Sequence, residues 1–155
     1  MKAGAQTVPA FFAMKQFLMA MVAMTFVPAM ALSQDKTDQM KITVHAGDTA
    51  LSATLDDTAA AQDFASMLPL TLTLEDYHGI EKVADLGRKL DASDNPDSYA
   101  PKAGDITQYA PWKNIAIFVA PFQASRGLVR LGEFDGDFST LSRSGPIEVR
   151  IERAD

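Results

Sequence analysis

Alternation of apolar and polar residues with a period of two is the feature that most constrains how this chain can fold. Ile42 and Val44 alternate with polar neighbours, and after a short turn Leu51, Ala53 and Leu55 do the same. This spacing is typical of antiparallel strands that bury one face. The two segments therefore predict a β-hairpin.

Further along the chain six more segments are predicted as strands, of which 80–86 is also compatible with a helical turn. They are residues 70–74 running on into 75–77, 80–86, 105–109, 114–119, 128–131 and 147–151. Residues 91–104 are polar, contain two prolines and predict a surface loop. Residues 133–144 are rich in Gly, Asp and Ser, and they predict a connection with one helical turn.

Only one segment has clear helical spacing. Residues 56–58 offer a helix cap, and one helical face then carries Ala60, Phe64, Met67 and Leu68. We expect one short amphipathic helix, from about Thr58 to Leu68, that covers an open end or face of the sheet. Many short strands with one helix predict a mainly β fold, a small closed β-barrel or a sandwich. A parallel α/β architecture would need a helix after most strands.

Composition narrows the function classes. The chain has 155 residues, of which 47% are hydrophobic, and this is enough for one domain with an apolar core. It contains no cysteine, which excludes disulfide scaffolds, thiol nucleophiles and thiolate zinc sites. Its formal net charge is −6. That charge argues against nucleic acid as a partner, because phosphate contacts need clustered Lys and Arg.

The N-terminal segment has the layout of a secretory signal. Lys2 and Lys15 are its only charged residues, and an apolar run follows at 17–27. Ala29 and Ala31 then place small residues on both sides of Met30, which is typical of a cleavage site. We expect cleavage after Ala31.

Cleavage there would divide the chain into a signal peptide (1–31), a flexible tail (32–39) and a barrel domain (40–155). We expect a periplasmic or secreted protein with no membrane contact after cleavage. An uncleaved anchor is the alternative, but the apolar stretch 17–32 has 16 residues, short of the ~20 that a helix needs to cross a bilayer. Met14 would also begin a complete signal, so two start positions are open.

Three stretches of the domain carry a family resemblance. They are residues 68–72 with 75–77 and 81–82, residues 104–106 with 109–112, 114 and 116–118, and residues 125–128 with 131–132. In these stretches the chain resembles the bacterial cyclophilin-like fold proteins, and the resemblance covers about residues 40–152. The middle stretch is the most specific, because its spacing of Gly, Pro, Trp and Asn is hard to meet by chance.

The resemblance implies a compact β-barrel similar to cyclophilin, with an open groove on its wall. It does not imply prolyl isomerase activity, because the motifs that carry the catalytic residues of true cyclophilins are not found in this sequence. Two positions depart from the family pattern: Lys113 follows Trp112 where glycine is usual, and Gly87 stands where proline is usual. Lys113 would put a charged side chain beside the groove and change its ligand preference.

Residues 109–114 are the best candidate for a binding site in such a groove. Trp112 is the only tryptophan, and its ring can stack on a ligand while the Asn114 amide fixes the ligand's orientation. In the structural alternative Trp112 plugs one end of the barrel and Asn114 satisfies a turn. With the rim included, the candidate ligand-binding residues are Tyr109, Trp112, Asn114, Phe118, Tyr77, Glu75 and Arg126.

Charged residues near the strand ends offer other chemistry. Glu75 and Glu81 beside Lys82 would suit general acid–base catalysis if their surroundings separated their pKa values. A solvated strand end with local ion pairs is the commoner arrangement. Arg126 would bind a carboxylate or phosphate through its guanidinium, or form a structural salt bridge. Asp105 would orient a partner side chain or cap a turn.

No pattern in the sequence predicts a metal or any other cofactor. The acidic stretches 91–97 and 133–137 lack the spacing of an EF-hand. His45 and His78 stand in no metal-ligand motif. The sequence has neither a GxSxG elbow nor a glycine-rich phosphate loop, which disfavours classical hydrolase and nucleotide chemistry.

These observations lead first to a non-covalent binding module whose groove receives a peptide segment or a small organic ligand. A peptidyl-prolyl cis-trans isomerase is the alternative, with Arg126 as the donor to the prolyl nitrogen. An acid–base enzyme that uses Glu75 and Glu81, and a purely structural partner protein, are further hypotheses. The sequence does not fix the oligomeric state.

Overall fold

The structure is a computed structural model that describes residues 39–155. The expected signal peptide, and all but the last residue of the expected tail, lie outside these residues. The elements are β1 (Lys41–Ala46), β2 (Thr49–Leu55), α1 (Ala59–Ser66), β3 (Leu70–Tyr77), β4 (Glu81–Asp85), β5 (Ser98–Tyr99), β6 (Asp105–Tyr109), β7 (Asn114–Phe118), β8 (Ser125–Arg126), β9 (Leu128–Phe134) and β10 (Ile147–Arg153).

Eight antiparallel strands close into a barrel in the order β1-β10-β3-β4-β7-β6-β9-β2. The two remaining strands, β5 and β8, form a separate two-stranded sheet. The mainly β fold, the small closed barrel and the single short helix are confirmed. Closure leaves no unpaired edge in the main sheet, which removes the surface at which open sheets aggregate.

The first hairpin forms as the alternation predicts. Ile42 lies opposite Ala53, and Val44 lies opposite Leu51. All four side chains are buried, because residues directly opposite each other in an antiparallel pair share one face of the sheet. The polar residues between them face outward.

The helix α1 is shorter than predicted. The Thr58 hydroxyl accepts a hydrogen bond from the Ala61 amide at 3.2 Å and caps the first turn. One face buries Ala60, Ala61, Phe64 and Ala65, and the helix packs against β9. It ends at Ser66, before Pro69, because the ring of a proline disfavours helical backbone in the residue before it.

Two connecting segments contain more structure than the sequence predicts. The strand β9 continues to Phe134, three residues beyond the predicted end at 131, because Phe134 is buried and lies opposite Ala53 of β2. Gly132 permits this approach, since a Cβ there would collide with the carbonyl oxygen of Thr54. The predicted surface loop 91–104 contains β5.

The barrel wall formed by β4, β7, β6 and β9 is apolar on both faces. Ile115 and Ile117 point into the barrel interior with the main core. Their neighbours Ala116 and Phe118 point outward and form a second cluster with Leu128, partly covered by Val83, Tyr99 and Tyr109. β7 is therefore buried on both faces, and its outer face supports a further layer.

Residues 39–155 include no helix with the length and apolar character that crossing a membrane requires.

Candidate functional site

A cavity of about 400 Å³ lies on this outer wall. Its volume is within the range of small-molecule sites, which runs from roughly 300 to 1,000 Å³. Aromatic and aliphatic side chains dominate its lining. The described residues that line it are Tyr77, His78, Ile80, Glu81, Val83, Tyr109, Trp112, Asn114, Phe118, Phe122, Ser125 and Leu128.

Strand register explains why these side chains meet. Glu81 of β4 lies opposite Phe118 of β7, and Asn114 at the other end of β7 lies opposite Tyr109 of β6. Opposed residues share a face, and this face is the outer one. Val83 lies between Glu81 and the end of β4 on the same face, so the three strands together form an apolar floor with one carboxyl and one amide.

A tight turn between β6 and β7 supplies the aromatic rim. Residues Ala110–Trp112 form one 3-10 turn, and Lys113 follows in the left-handed region at φ 59° and ψ 25°. The turn sets the Trp112 ring 5.2 Å from Tyr109 and 5.8 Å from Tyr77, between ring centroids, at interplanar angles of 88° and 84°. Trp112 is 58% exposed, so it borders the cavity and does not plug the barrel.

Because Gly127 has no side chain, the start of β9 packs closely against this turn. Gly127 has φ +81°, and a Cβ there would lie 2.9 Å from Cδ of Pro111. The Ala110 amide donates a hydrogen bond to the Gly127 carbonyl at 2.9 Å. These contacts fix the base of the Trp112 turn against the start of β9.

The turn between β3 and β4 forms the opposite lip. His78 and Gly79 both have positive φ, 53° and 70°, and the Ile80 amide donates to the Tyr77 carbonyl at 3.2 Å. The turn directs Tyr77, His78 and Ile80 towards the cavity. His78 is exposed, and its ring centroid lies 4.3 Å from that of Tyr77.

Among the residues that the structure describes, two polar groups of the cavity floor lack a hydrogen-bond or ion-pair partner. The Asn114 Oδ1 atom is buried and has no hydrogen-bond partner within residues 39–155, so the amide does not simply satisfy a turn. Glu81 is half-buried, and desolvation raises the pKa of its carboxyl, an effect that nearby His78 partly offsets. In the described part of the chain no lysine or arginine forms an ion pair with Glu81.

Five of the seven candidate residues line the cavity: Tyr77, Tyr109, Trp112, Asn114 and Phe118. The other two do not. Glu75 is exposed on β3, two cross-strand pairs from Tyr77 along the hairpin. Arg126 is exposed on β8, in the small sheet with β5.

The charged cluster of β3 and β4 is divided between the two faces of the sheet. Glu75 and Glu81 lie on the outer face, whereas Asp76 and Lys82 pair on the inner one. Lys82 is 1% exposed, and its ammonium also donates to the carbonyl oxygens of Arg143 at 2.6 Å and Gly145 at 3.1 Å. Lys82 therefore anchors a loop, and the sequence-predicted acid–base group is not assembled as one site.

Asp105 orients a partner side chain, one of the two roles considered for it. It is buried, and it accepts hydrogen bonds from the Tyr99 hydroxyl at 2.6 Å and the Lys102 amide at 2.8 Å. Burial, together with this carboxylate, raises the pKa of Tyr99 to about 12. The contacts fasten loop 91–104 beside the cavity, and no residue of that loop is among the described lining residues.

Sequence reasoning missed several lining residues and cited Glu81 and His78 only for other roles. Phe122 lies in an irregular segment and Ser125 in the two-residue strand β8, so no periodic pattern marks either of them. Val83 and Leu128 belong to predicted strands, but the sequence did not show that apolar residues on the outer face would pack in a second layer. The 42% exposure of Phe122 becomes visible only in the structure.

Metal-ligating side chains do not gather in the described residues. Within 39–155 no three His, Asp or Glu side chains are grouped so that they would hold an ion. In the acidic stretch 133–137 the Asp135 carboxylate accepts hydrogen bonds from Ser52 and Thr54 and pairs with Lys41. Those contacts balance the charge of Asp135 without a metal ion.

Comparison with known proteins gives one family and one fold. A sequence model described as the cyclophilin-like family matches residues 44–152. The solution structure of a hypothetical protein from Archaeoglobus fulgidus is similar, with a TM-score of 0.56 at 16% identity over 75% of this chain and 95% of that one. No curated protein matches the sequence significantly.

Proposed function

The chain belongs to the cyclophilin-like family, and we propose that its barrel is a binding module that receives a peptide segment or a small organic molecule in the outer-wall cavity. The observation that carries this proposal is the unpartnered Oδ1 of Asn114 at the floor of an aromatic-lined cavity. A buried acceptor without a partner costs roughly 1–3 kcal/mol, and a ligand donor would recover that free energy.

The composition of the cavity supports the same function. Binding sites for small ligands combine apolar walls with a few polar groups that fix orientation. Here Val83, Phe118 and Leu128 supply apolar wall, while Asn114 and Glu81 supply the orienting groups. The exposed ring of Trp112 offers a surface on which a planar ligand can stack.

Binding is favoured over prolyl isomerisation by the position of Arg126. An isomerase lowers the ~20 kcal/mol barrier to rotation of the peptide bond, and the sequence hypothesis assigned Arg126 as the donor to the prolyl nitrogen. Arg126 is exposed on β8, outside the cavity lining. None of the described lining residues is an arginine.

The test is a titration with capped tripeptides, prolyl and non-prolyl, and with small aromatic amides, followed by NMR shifts of backbone amides. We expect shifts concentrated on β4 and β7, and Asn114→Ala should weaken binding about tenfold, which is about 1.4 kcal/mol. Asn95→Ala is the matched control, because Asn95 also has a buried, unpartnered Oδ1 but lies outside the cavity lining.

Two outcomes would decide against the proposal. Unchanged affinities in both Asn114→Ala and Trp112→Ala, with folding intact, would remove the cavity as the binding site. Accelerated cis–trans exchange of the prolyl peptides would instead support the isomerase.

We also propose that the protein is exported and processed after Ala31. The N-terminal layout of basic residue, apolar run and small-residue pair supports this. Expression of the full chain in a bacterium, followed by fractionation and N-terminal sequencing, should give a periplasmic product that begins at Leu32. A cytoplasmic or membrane-bound product with an intact N-terminus would contradict it.

A further inference from the structure

We propose that the occupant of the cavity presents an organic cation with N–H donors, a primary ammonium or guanidinium group on an apolar body. This inference rests on the proposed function and specifies the chemistry of its ligand. It follows from the aromatic rim, from two acceptors without donors and from the charge of the chain.

The aromatic rim brings three rings together at one side of the cavity. Tyr77 and Tyr109 both stand nearly perpendicular to Trp112, at 84° and 88°, with centroids within 6 Å. Rings at right angles present faces in different directions around one opening. The face of an aromatic ring attracts a cation within about 6 Å of its centroid, most strongly for Trp, and sets of such rings recognise ammonium groups.

The floor of the cavity lacks hydrogen-bond donors for its own acceptors. Asn114 Oδ1 is unpartnered within residues 39–155, and the half-buried Glu81 carboxylate has no lysine or arginine partner in the same range. A half-buried carboxylate without a cation is costly, because desolvation penalises its charge. A ligand ammonium would pair with Glu81, and Asn114, at the other end of β7, would accept from a second donor of the ligand.

An anionic or a neutral ligand fits the cavity less well than a cation. A carboxylate or phosphate would meet Glu81 without an arginine or lysine among the described lining residues to offset the repulsion. A neutral ligand would add nothing to the partial compensation that His78 gives the Glu81 carboxylate. The net charge of −6 over the whole chain also favours the approach of a cation.

The experiment compares three phenylalkyl probes of similar size that differ in charge: phenethylamine, phenethyl alcohol and hydrocinnamate. Calorimetry and Trp112 emission would give their affinities for the full folded domain. We expect the amine to bind at least about tenfold more tightly than the alcohol, a difference of about 1.4 kcal/mol, and the acid to bind most weakly. Glu81→Gln should remove the preference for the amine and leave the affinity for the alcohol unchanged.

Glu75→Gln is the matched control. Glu75 lies on the same outer face of the β3–β4 hairpin but outside the cavity, so its loss removes one negative charge without touching the site. The amine should keep its affinity in this variant. An equal loss of affinity for the amine in Glu75→Gln and Glu81→Gln would show that the effect comes from the overall charge of the protein. That result would overturn the inference.

The source of the cation is tested with peptides. A capped peptide with one lysine and its acetyl-lysine counterpart separate a lysine side chain from a free small amine. Binding of the lysine peptide alone, of phenethylamine alone or of both supports the cation and identifies its source.

The remaining outcomes separate the two proposals. If the alcohol or the acid binds as tightly as the amine, the cation inference fails and the binding function stands. If none of the probes or peptides binds at millimolar concentration, both fail.

Discussion

Lys113 combines an exposed side chain with a backbone conformation that L-residues rarely adopt. Its φ of 59° and ψ of 25° are left-handed, yet its backbone is held in place. Its amide donates to the Ala110 carbonyl at 3.2 Å, and its carbonyl accepts from the Leu86 amide at 2.9 Å. The left-handed residue lets the chain leave the Trp112 turn directly into β7, and glycine would adopt this backbone conformation without a steric cost.

Replacement of Lys113 by glycine should therefore stabilise the domain. Left-handed backbone costs a residue with a Cβ roughly 1–2 kcal/mol, and the greater freedom of glycine in the unfolded chain offsets part of the gain. We expect Lys113→Gly to raise the free energy of unfolding by about 0.5–1 kcal/mol, measured by urea denaturation. Lys113→Ala, which removes the amine and keeps the strain, should not be stabilised. Equal stabilities of the two variants would contradict the explanation.

The strands differ in how far local sequence determines them. Alternation in β1, β2 and β3 is a local property, and the predicted segments correspond to the observed strands. In β7 the alternation gives way to burial of Ile115 through Phe118 on both faces, which depends on segments distant in sequence. The end of β9 is fixed in the same way, since Phe134 is ordered by its position opposite Ala53.

The candidate site likewise depends partly on local sequence and partly on contacts between distant segments. Tyr109, Trp112 and Asn114 are neighbours in sequence, and their spacing was enough to predict that they act together. Tyr77 reaches Trp112 only because β3, β4, β7 and β6 are consecutive around the barrel. Which of two glutamates lines the cavity depends on hairpin register: Glu81 lies opposite Tyr77 at the lip, and Glu75 lies two pairs away.

At the scale of the whole molecule, one polar chain of contacts joins the helix to the barrel interior. Gln108 is fully buried in β6, its Nε2 donates to the Arg88 carbonyl at 2.9 Å, and its Oε1 accepts from the Leu90 amide at 2.8 Å. The Arg88 guanidinium in turn donates to both carboxylate oxygens of Asp63 in α1, at 2.6 and 2.9 Å. The segment after β4, which contains Arg88 and Leu90, is thus bonded to β6 on one side and to α1 on the other.

This arrangement predicts how stability depends on pH. The hydrogen bonds from Arg88 lower the pKa of Asp63 from 3.8 to about 2. Because the folded-state value lies below the unfolded one, the pair stabilises the fold fully above about pH 4, and that stability is lost as pH falls through about 2. Asp63→Asn should lower stability at neutral pH and reduce the loss between pH 4 and pH 2. Solvent screening limits the effect, since the pair is partly exposed.

A double-mutant cycle with Arg88→Met checks that the pair, and not the carboxylate alone, is responsible. Urea unfolding at several pH values should show that Asp63→Asn has a smaller effect on both stability and its pH dependence once Arg88 is absent. If Asp63→Asn reduced the acid-dependent loss equally in both backgrounds, the lowered pKa would come from the Asp91 amide, which also donates to Asp63 at 2.9 Å, and the ion pair would have no part in it.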